Sequence, residues 1–176
     1  MTWPRALPWI ALLLLAGLVL GDVRVPRWLG GGDASLSAGG STSARLERVI
    51  DGDTIVVQVD GHEERIRYIG IDTPETVKPN TPVQCFGPQA HALNARLLGD
   101  VGTQLELRFD RELRDRYGRL LAYVYRVQDH LFVNARLIGA GAARTLAIAP
   151  NTAHAAELSQ LEHGARVADR GLWAAC

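Results

Sequence analysis

Between residues 44 and 71 the chain carries three short runs rich in apolar positions. "ARLERVI" (44–50) alternates, "TIVVQV" (54–59) is almost wholly apolar, and "EERIRYIGI" (63–71) alternates again. A period of two marks a strand with one buried face. Asp60-Gly61, between the second and third runs, is a strong hairpin signal, so the three runs predict a meander. In "PQAHALNARLLG" (88–99) the proline opens a helix and the glycine closes it. "TQLELRF" (103–109) returns to a period of two, with Leu105, Leu107 and Phe109 on one face, and "RLLAYVYRV" (119–127) gives a fifth strand. "FVNARLIGAG" (132–141) predicts a second helix. "NTAHAAELSQLEHGARVADRG" (151–171) predicts a third, capped by Asn151 or Thr152, with Leu158, Leu161, Ala165 and Ala168 inward.

The order β-β-β-α-β-β-α-α predicts a β-rich α+β domain over residues 44–176, a five-stranded OB-fold barrel with three α-helices. Such barrels support nucleic-acid ligands, but a fold alone does not establish a function. The N-terminus is a different material. Residues 1–21 hold "MTWPR" and then "WIALLLLAGLVLG", an apolar run that suits a signal peptide and falls short of the ~20 residues that span a bilayer. Two fates stay open, a cleaved signal or an uncleaved membrane anchor. Residues 22–43, with "GGGDASLSAGGSTS", read as a flexible linker. Either fate places the domain outside the cytoplasm, secreted, periplasmic or tethered.

Composition narrows the picture only in part. A formal net charge of +0 excludes a global electrostatic pull toward nucleic acid or acidic membrane. Positive charge is almost all arginine, the better fork for phosphate oxygens, with Lys78 the only lysine. The two cysteines, Cys85 and Cys176, form an even count that in an oxidising compartment suggests a disulfide. That bridge would close a loop of about 90 residues, worth about 4–5 kcal/mol in the chain-entropy model.

The chemistry gathers in four places. "DGDT" (51–54) puts two acids at the turn between the first strands, "IDTPET" (71–76) ends the third, Arg67 lies within it, and Arg119 closes "DRYGR" (115–119). Two hard carboxylates near free carbonyls suit an oxygen-seeking cation such as Ca²⁺. A further carboxylate could hold or deprotonate a water, and two arginines could grip a phosphate and take up developing charge. Together these are the parts of metal-assisted phosphodiester hydrolysis. The five histidines show no metal-ligand spacing.

"VIDGDTIVVQVDG", "RYIGIDTPET", "FGPQA" and "DRYGRLLAYVY", in this order, resemble the staphylococcal nuclease (thermonuclease) family, and the resemblance runs from about Arg45 to Trp173. It implies an OB-type barrel with three helices and a Ca²⁺-dependent nuclease that cuts DNA and RNA to 3′-phosphates with little sequence preference. It implies that Asp53 and Asp72 give side-chain oxygens and Thr73 its carbonyl to Ca²⁺. Glu75 would activate water, Arg67 and Arg119 would stabilise the phosphoryl transition state, and Tyr117 would sit near a nucleotide phosphate. A monomer is expected. The alternative is a non-catalytic OB-fold nucleic-acid-binding module at the cell envelope.

Two features stand against a simple transfer. Strict alternation puts Arg67 and Asp72 on opposite faces, so they share a site only if the strand bends, and Gly70 is the place for it. The family's type enzyme has tyrosines covering the bound base, whereas "RTLAIAPN" (144–151) offers Ala147 and Ala149. Trp173 is expected to lid the core beside the cysteine bridge.

Overall fold

The structure, a computed structural model, describes residues 36–76 and 82–176; the leader, most of the linker and Lys78 lie outside them. The first strand, β1 (Ser41–Asp51), begins inside the stretch read as linker, because Ser41 to Ala44 pair with β5 (Gln104–Arg108). β2 (Thr54–Val59) and β3 (His62–Tyr68) complete an antiparallel meander through the Asp60-Gly61 turn. β6 (Leu120–Arg126) pairs antiparallel with β5 and parallel with β3. That last pairing closes β3-β2-β1-β5-β6 into a five-stranded barrel. Its interior is filled by alternating side chains, among them Leu46, Ile55, Val57, Ile66, Leu105, Leu107 and Leu120.

Helix α1 (Gly87–Leu98) packs on β1, with proline in its first turn and Gly99 at its exit. Helices α2 (Val133–Gly139) and α3 (Ala155–Val167) pack on each other, and the brief α4 (Leu172–Ala175) ends the chain. Two short strands were not foreseen, β7 (Leu131–Phe132) and β8 (Arg144–Leu146), while β4 (Gly70–Asp72) is the end of the predicted third run, set off from β3 at Ile69. β7 extends β6, and β4 pairs with β8 in a small sheet of its own.

Helix α3 departs from its predicted pattern at both ends. It starts after His154, and neither Asn151 nor Thr152 caps it. Asn151 is engaged elsewhere: its amide accepts from the Glu112 N–H and donates to the Glu112 carbonyl, both at 2.8 Å. Ala168 is exposed, and Glu162 takes an inward place beside Leu158 and Ala165. Burial opposes its charge, yet Thr145, Arg166 and a backbone hydrogen bond hold the Glu162 carboxyl below the usual range. Trp173 is no core lid; it lies half-buried between the guanidiniums of Arg144 and Arg166, 4.3 and 4.1 Å from its ring centre.

Candidate active site

The third strand does bend at Gly70. Through Ile69, whose N–H donates to the Ala122 carbonyl, it follows β6; at Gly70 φ is +81° and the chain turns away to β8. A side chain there would also collide with Leu158, whose Cδ1 lies 2.6 Å from the Cβ position. The bend wraps residues 68–72 around the guanidinium of Arg67. Nη1 donates to the carbonyls of Tyr68 at 2.9 Å and Ile71 at 2.8 Å, and Nη2 donates to Asp72 Oδ1 at 2.8 Å. Nη2 also lies 3.1 Å from Asp53 Oδ2. Arginine and both acids therefore meet at one point, with the Arg67 side chain 14% exposed and that of Asp53 8%.

Asp53 is held from both sides. Its carbonyl accepts the Tyr68 N–H at 3.0 Å, its Oδ1 accepts the Thr54 hydroxyl at 3.0 Å, and its Oδ2 accepts the Thr73 N–H at 2.9 Å. The turn can approach Thr73 because Gly52 has no side chain: a Cβ would lie 2.7 Å from Thr73 Oγ1. That hydroxyl is buried without a hydrogen-bond partner. The donor set fits a hard, oxygen-seeking cation, since two carboxylates converge on a single positive nitrogen beside the Thr73 backbone. Among the described residues no group of three or more His, Cys, Asp or Glu side chains could hold a metal ion. A cation here would complete its shell with carbonyl oxygens and water.

Several residues that support this corner were given no role from the sequence. Asp51, the first acid of "DGDT", accepts the Gly52 N–H and the Thr76 hydroxyl at 2.8 Å each. Asn94, fully buried on α1, donates to the Asp51 carbonyl at 3.0 Å and accepts the Tyr68 hydroxyl at 3.1 Å. Burial pushes that phenol far above its ordinary range. Gln84 clamps the segment bearing Glu75: its side-chain oxygen accepts the Glu75 N–H at 3.0 Å, and its own N–H donates to the Glu75 carbonyl at 2.9 Å. The Glu75 carboxylate in turn accepts the Thr76 N–H at 3.1 Å. The adjacent Cys85 is disulfide-bonded to Cys176, which ties this segment to the end of α4.

Arg119 is held differently. The turn 115–119 folds around the Asp115 carboxylate, which accepts the N–H groups of Tyr117 at 2.9 Å and Arg119 at 3.0 Å. The same carboxylate accepts Arg119 Nε at 2.7 Å. Partial burial works against the Asp115 charge, but Arg119 and the turn amides hold its carboxyl below the usual range. Tyr117 is 68% exposed, with the Arg119 guanidinium 5.5 Å from its ring centre.

Arg67, Tyr117 and Arg119 line one cavity of about 470 Å³, together with Leu146 and Ile148. This corrects the expectation placed on Ala147 and Ala149. Neither lines the cavity; the side chains facing it are the two aliphatic residues at alternate positions.

The family described as "Staphylococcal nuclease homologue" matches residues 65–175. The chain belongs to the staphylococcal nuclease family. That membership makes it an ester-hydrolysing enzyme of the nuclease class. Its relatives include the "Thermonuclease" of Staphylococcus intermedius, 44% identical over 73% of this chain and 74% of the relative. The "Thermonuclease" of Staphylococcus hyicus is 40% identical over 80% of each. "Endonuclease YncB" of Bacillus subtilis (strain 168) is 42% identical over 73% of this chain and 60% of that protein.

Proposed function

We infer that the protein is an exported, Ca²⁺-dependent nuclease that hydrolyses phosphodiester bonds of DNA and RNA with low sequence specificity and leaves 3′-phosphates. One observation carries the reading: Asp53, Asp72 and Arg67 meet at a single point, and Arg67 shares a cavity with Arg119 and Tyr117.

Asp53, Asp72 and the Thr73 carbonyl would hold the cation. When bound, it supplies positive charge that polarises the phosphate and lowers the pKa of water. Occupation of the two carboxylates would release Arg67 Nη2 from them, while the carbonyls of Tyr68 and Ile71 keep Nη1 in place. Arg67 then binds non-bridging oxygens of the scissile phosphate. Glu75 takes a proton from the attacking water, whose oxygen bonds to phosphorus as the bond to the 5′ oxygen breaks. Arg119 stabilises the charge on the departing oxygen, which takes up a proton from solvent water, and the products are a 3′-phosphate and a 5′-hydroxyl. Groups at a reacting centre act by being preorganised where charge develops; the Asp115 turn would do this for Arg119, and the Gln84 clamp for the backbone that carries Glu75. The Cys85–Cys176 bridge suits an oxidising compartment outside the cytoplasm.

The test is cleavage of single-stranded DNA and RNA by the purified protein with Ca²⁺, with Mg²⁺ and with EDTA. Ca²⁺ should support cleavage better than Mg²⁺, because a site with two carboxylates and irregular backbone suits the larger, more flexible shell. EDTA should abolish it, and end-group analysis should find 3′-phosphates. Intact but retarded nucleic acid under every condition would favour the binding-module alternative.

A further inference from the structure

Strand β4 separates two concavities. Residues 67–71 face the cavity of Arg119 and Tyr117, whereas Asp72, Thr73 and Pro74 line a second one of about 210 Å³ with Gln84 and Arg144. A polynucleotide that places one phosphate at the Asp53–Asp72–Arg67 corner and a nucleoside in the first cavity must leave the corner on another side. The second cavity begins there, at Asp72.

Arg144 is placed to meet that outgoing strand. It stands directly opposite Asp72 in the antiparallel β4–β8 pair, so its backbone position is fixed relative to the corner. Its guanidinium stacks on Trp173 at 4.3 Å from the ring centre. Stacking uses the face of the guanidinium and leaves its in-plane N–H donors along the edge, the geometry that grips phosphate oxygens. None of the ion pairs among the described residues uses Arg144. Asp72, the acidic side chain on this wall, is already countered by Arg67. The remaining cation is thus preoriented, next to the corner and outside its hydrogen-bond network.

We propose that Arg144, on its Trp173 shelf, is a phosphate subsite for the backbone of a nucleic-acid strand running past the scissile bond. It makes the enzyme favour polynucleotides over short esters. This rests on the nuclease reading and extends it to substrate length.

The experiment compares kcat/KM for a single-stranded oligonucleotide of about 16 nucleotides, long enough for an extended binding groove, with that for a chromogenic nitrophenyl diester of one nucleotide. Each is measured across a range of NaCl concentrations for the wild type, Arg144→Gln and Arg144→Lys. Arg144→Gln should lower kcat/KM for the oligonucleotide about five- to tenfold at low salt and make its log–log salt slope shallower by about 0.7, the value of one phosphate contact on a single strand. The nitrophenyl diester should be cleaved at the wild-type rate. Arg144→Lys, which keeps the charge, should keep the slope. Equal losses on both substrates, an unchanged oligonucleotide rate in Arg144→Gln, or a slope lost in Arg144→Lys would overturn the subsite. A wild type that cleaves neither substrate would remove the nuclease reading itself, an outcome distinct from those three.

Discussion

Arg67 and Arg119 line the same cavity, yet the fold secures them in opposite ways. Arg67 is built into the barrel. Its two terminal nitrogens are committed to two carbonyls and two carboxylates drawn from three segments, and it is nearly buried. Arg119 hangs on a local turn, where one carboxylate four residues away holds it and its side chain is 27% exposed. The first arrangement couples chemistry to folding, because removing the guanidinium strands carbonyls and leaves two acids facing each other. The second is modular, and its loss should be felt mainly in catalysis.

The largest effect is expected at Arg67. Arg67→Ala should lower stability by about 3 kcal/mol, as expected when one member of a buried charge pair is removed, and should abolish measurable cleavage; urea unfolding beside a turnover assay reads both. Unchanged stability would mean that Arg67 is no part of the fold. Arg119→Ala should cost about 10²–10³ in kcat, the usual loss for a transition-state donor, while its unfolding midpoint stays near that of the wild type. A large drop in that midpoint would erase the contrast between the two arginines.

A finer probe lies at Gln84. Gln84→Met keeps the side-chain length but removes the oxygen that accepts the Glu75 N–H. Loosening the group that handles water should lower kcat about tenfold, since small misplacements are costly in catalysis. KM should change little, and Gln84→Glu, which keeps an acceptor oxygen, should restore most of kcat. KM and kcat falling together in both variants would point to a general distortion instead.

The smallest expected effect concerns pH. The Asp115 carboxyl is held below its unfolded value, near 3.9 for a free aspartate. Its contribution to stability is therefore complete above that value and is lost as pH falls through the depressed folded one. Thermal unfolding followed from pH 6 downward should lose that increment in Asp115→Asn; identical acid profiles would show that the turn does not depend on the charge.

Legibility from sequence follows the same division. The barrel strands are long enough for a period of two to show, and the parity conflict between Arg67 and Asp72 required a bend that the structure has at Gly70. The motif acids and arginines could be named because their residue types and order are distinctive. What escaped was set by tertiary partners. Strand β8 has three residues, too few to reveal a period, so nothing in the sequence set Leu146 and Ile148, which line the cavity, apart from Ala147 and Ala149, which do not. Asn94, Gln84 and Glu162 are single polar residues in a helix or loop, and their roles appear only once the chain they bond is in place. Asn151 had the right chemistry for a cap, but the backbone of Glu112 claimed it.

In the proposed reaction Glu75, three residues beyond Asp72, handles the proton of the attacking water. Single-turnover cleavage of single-stranded DNA by Glu75→Gln, with Ca²⁺ affinity and unfolding measured on the same sample, tests it most directly. The expected result is an intact fold, retained Ca²⁺ binding and a rate reduced by about 10²–10⁴, the range of general acid–base catalysis. A wild-type rate from a folded, Ca²⁺-binding Glu75→Gln enzyme would contradict it.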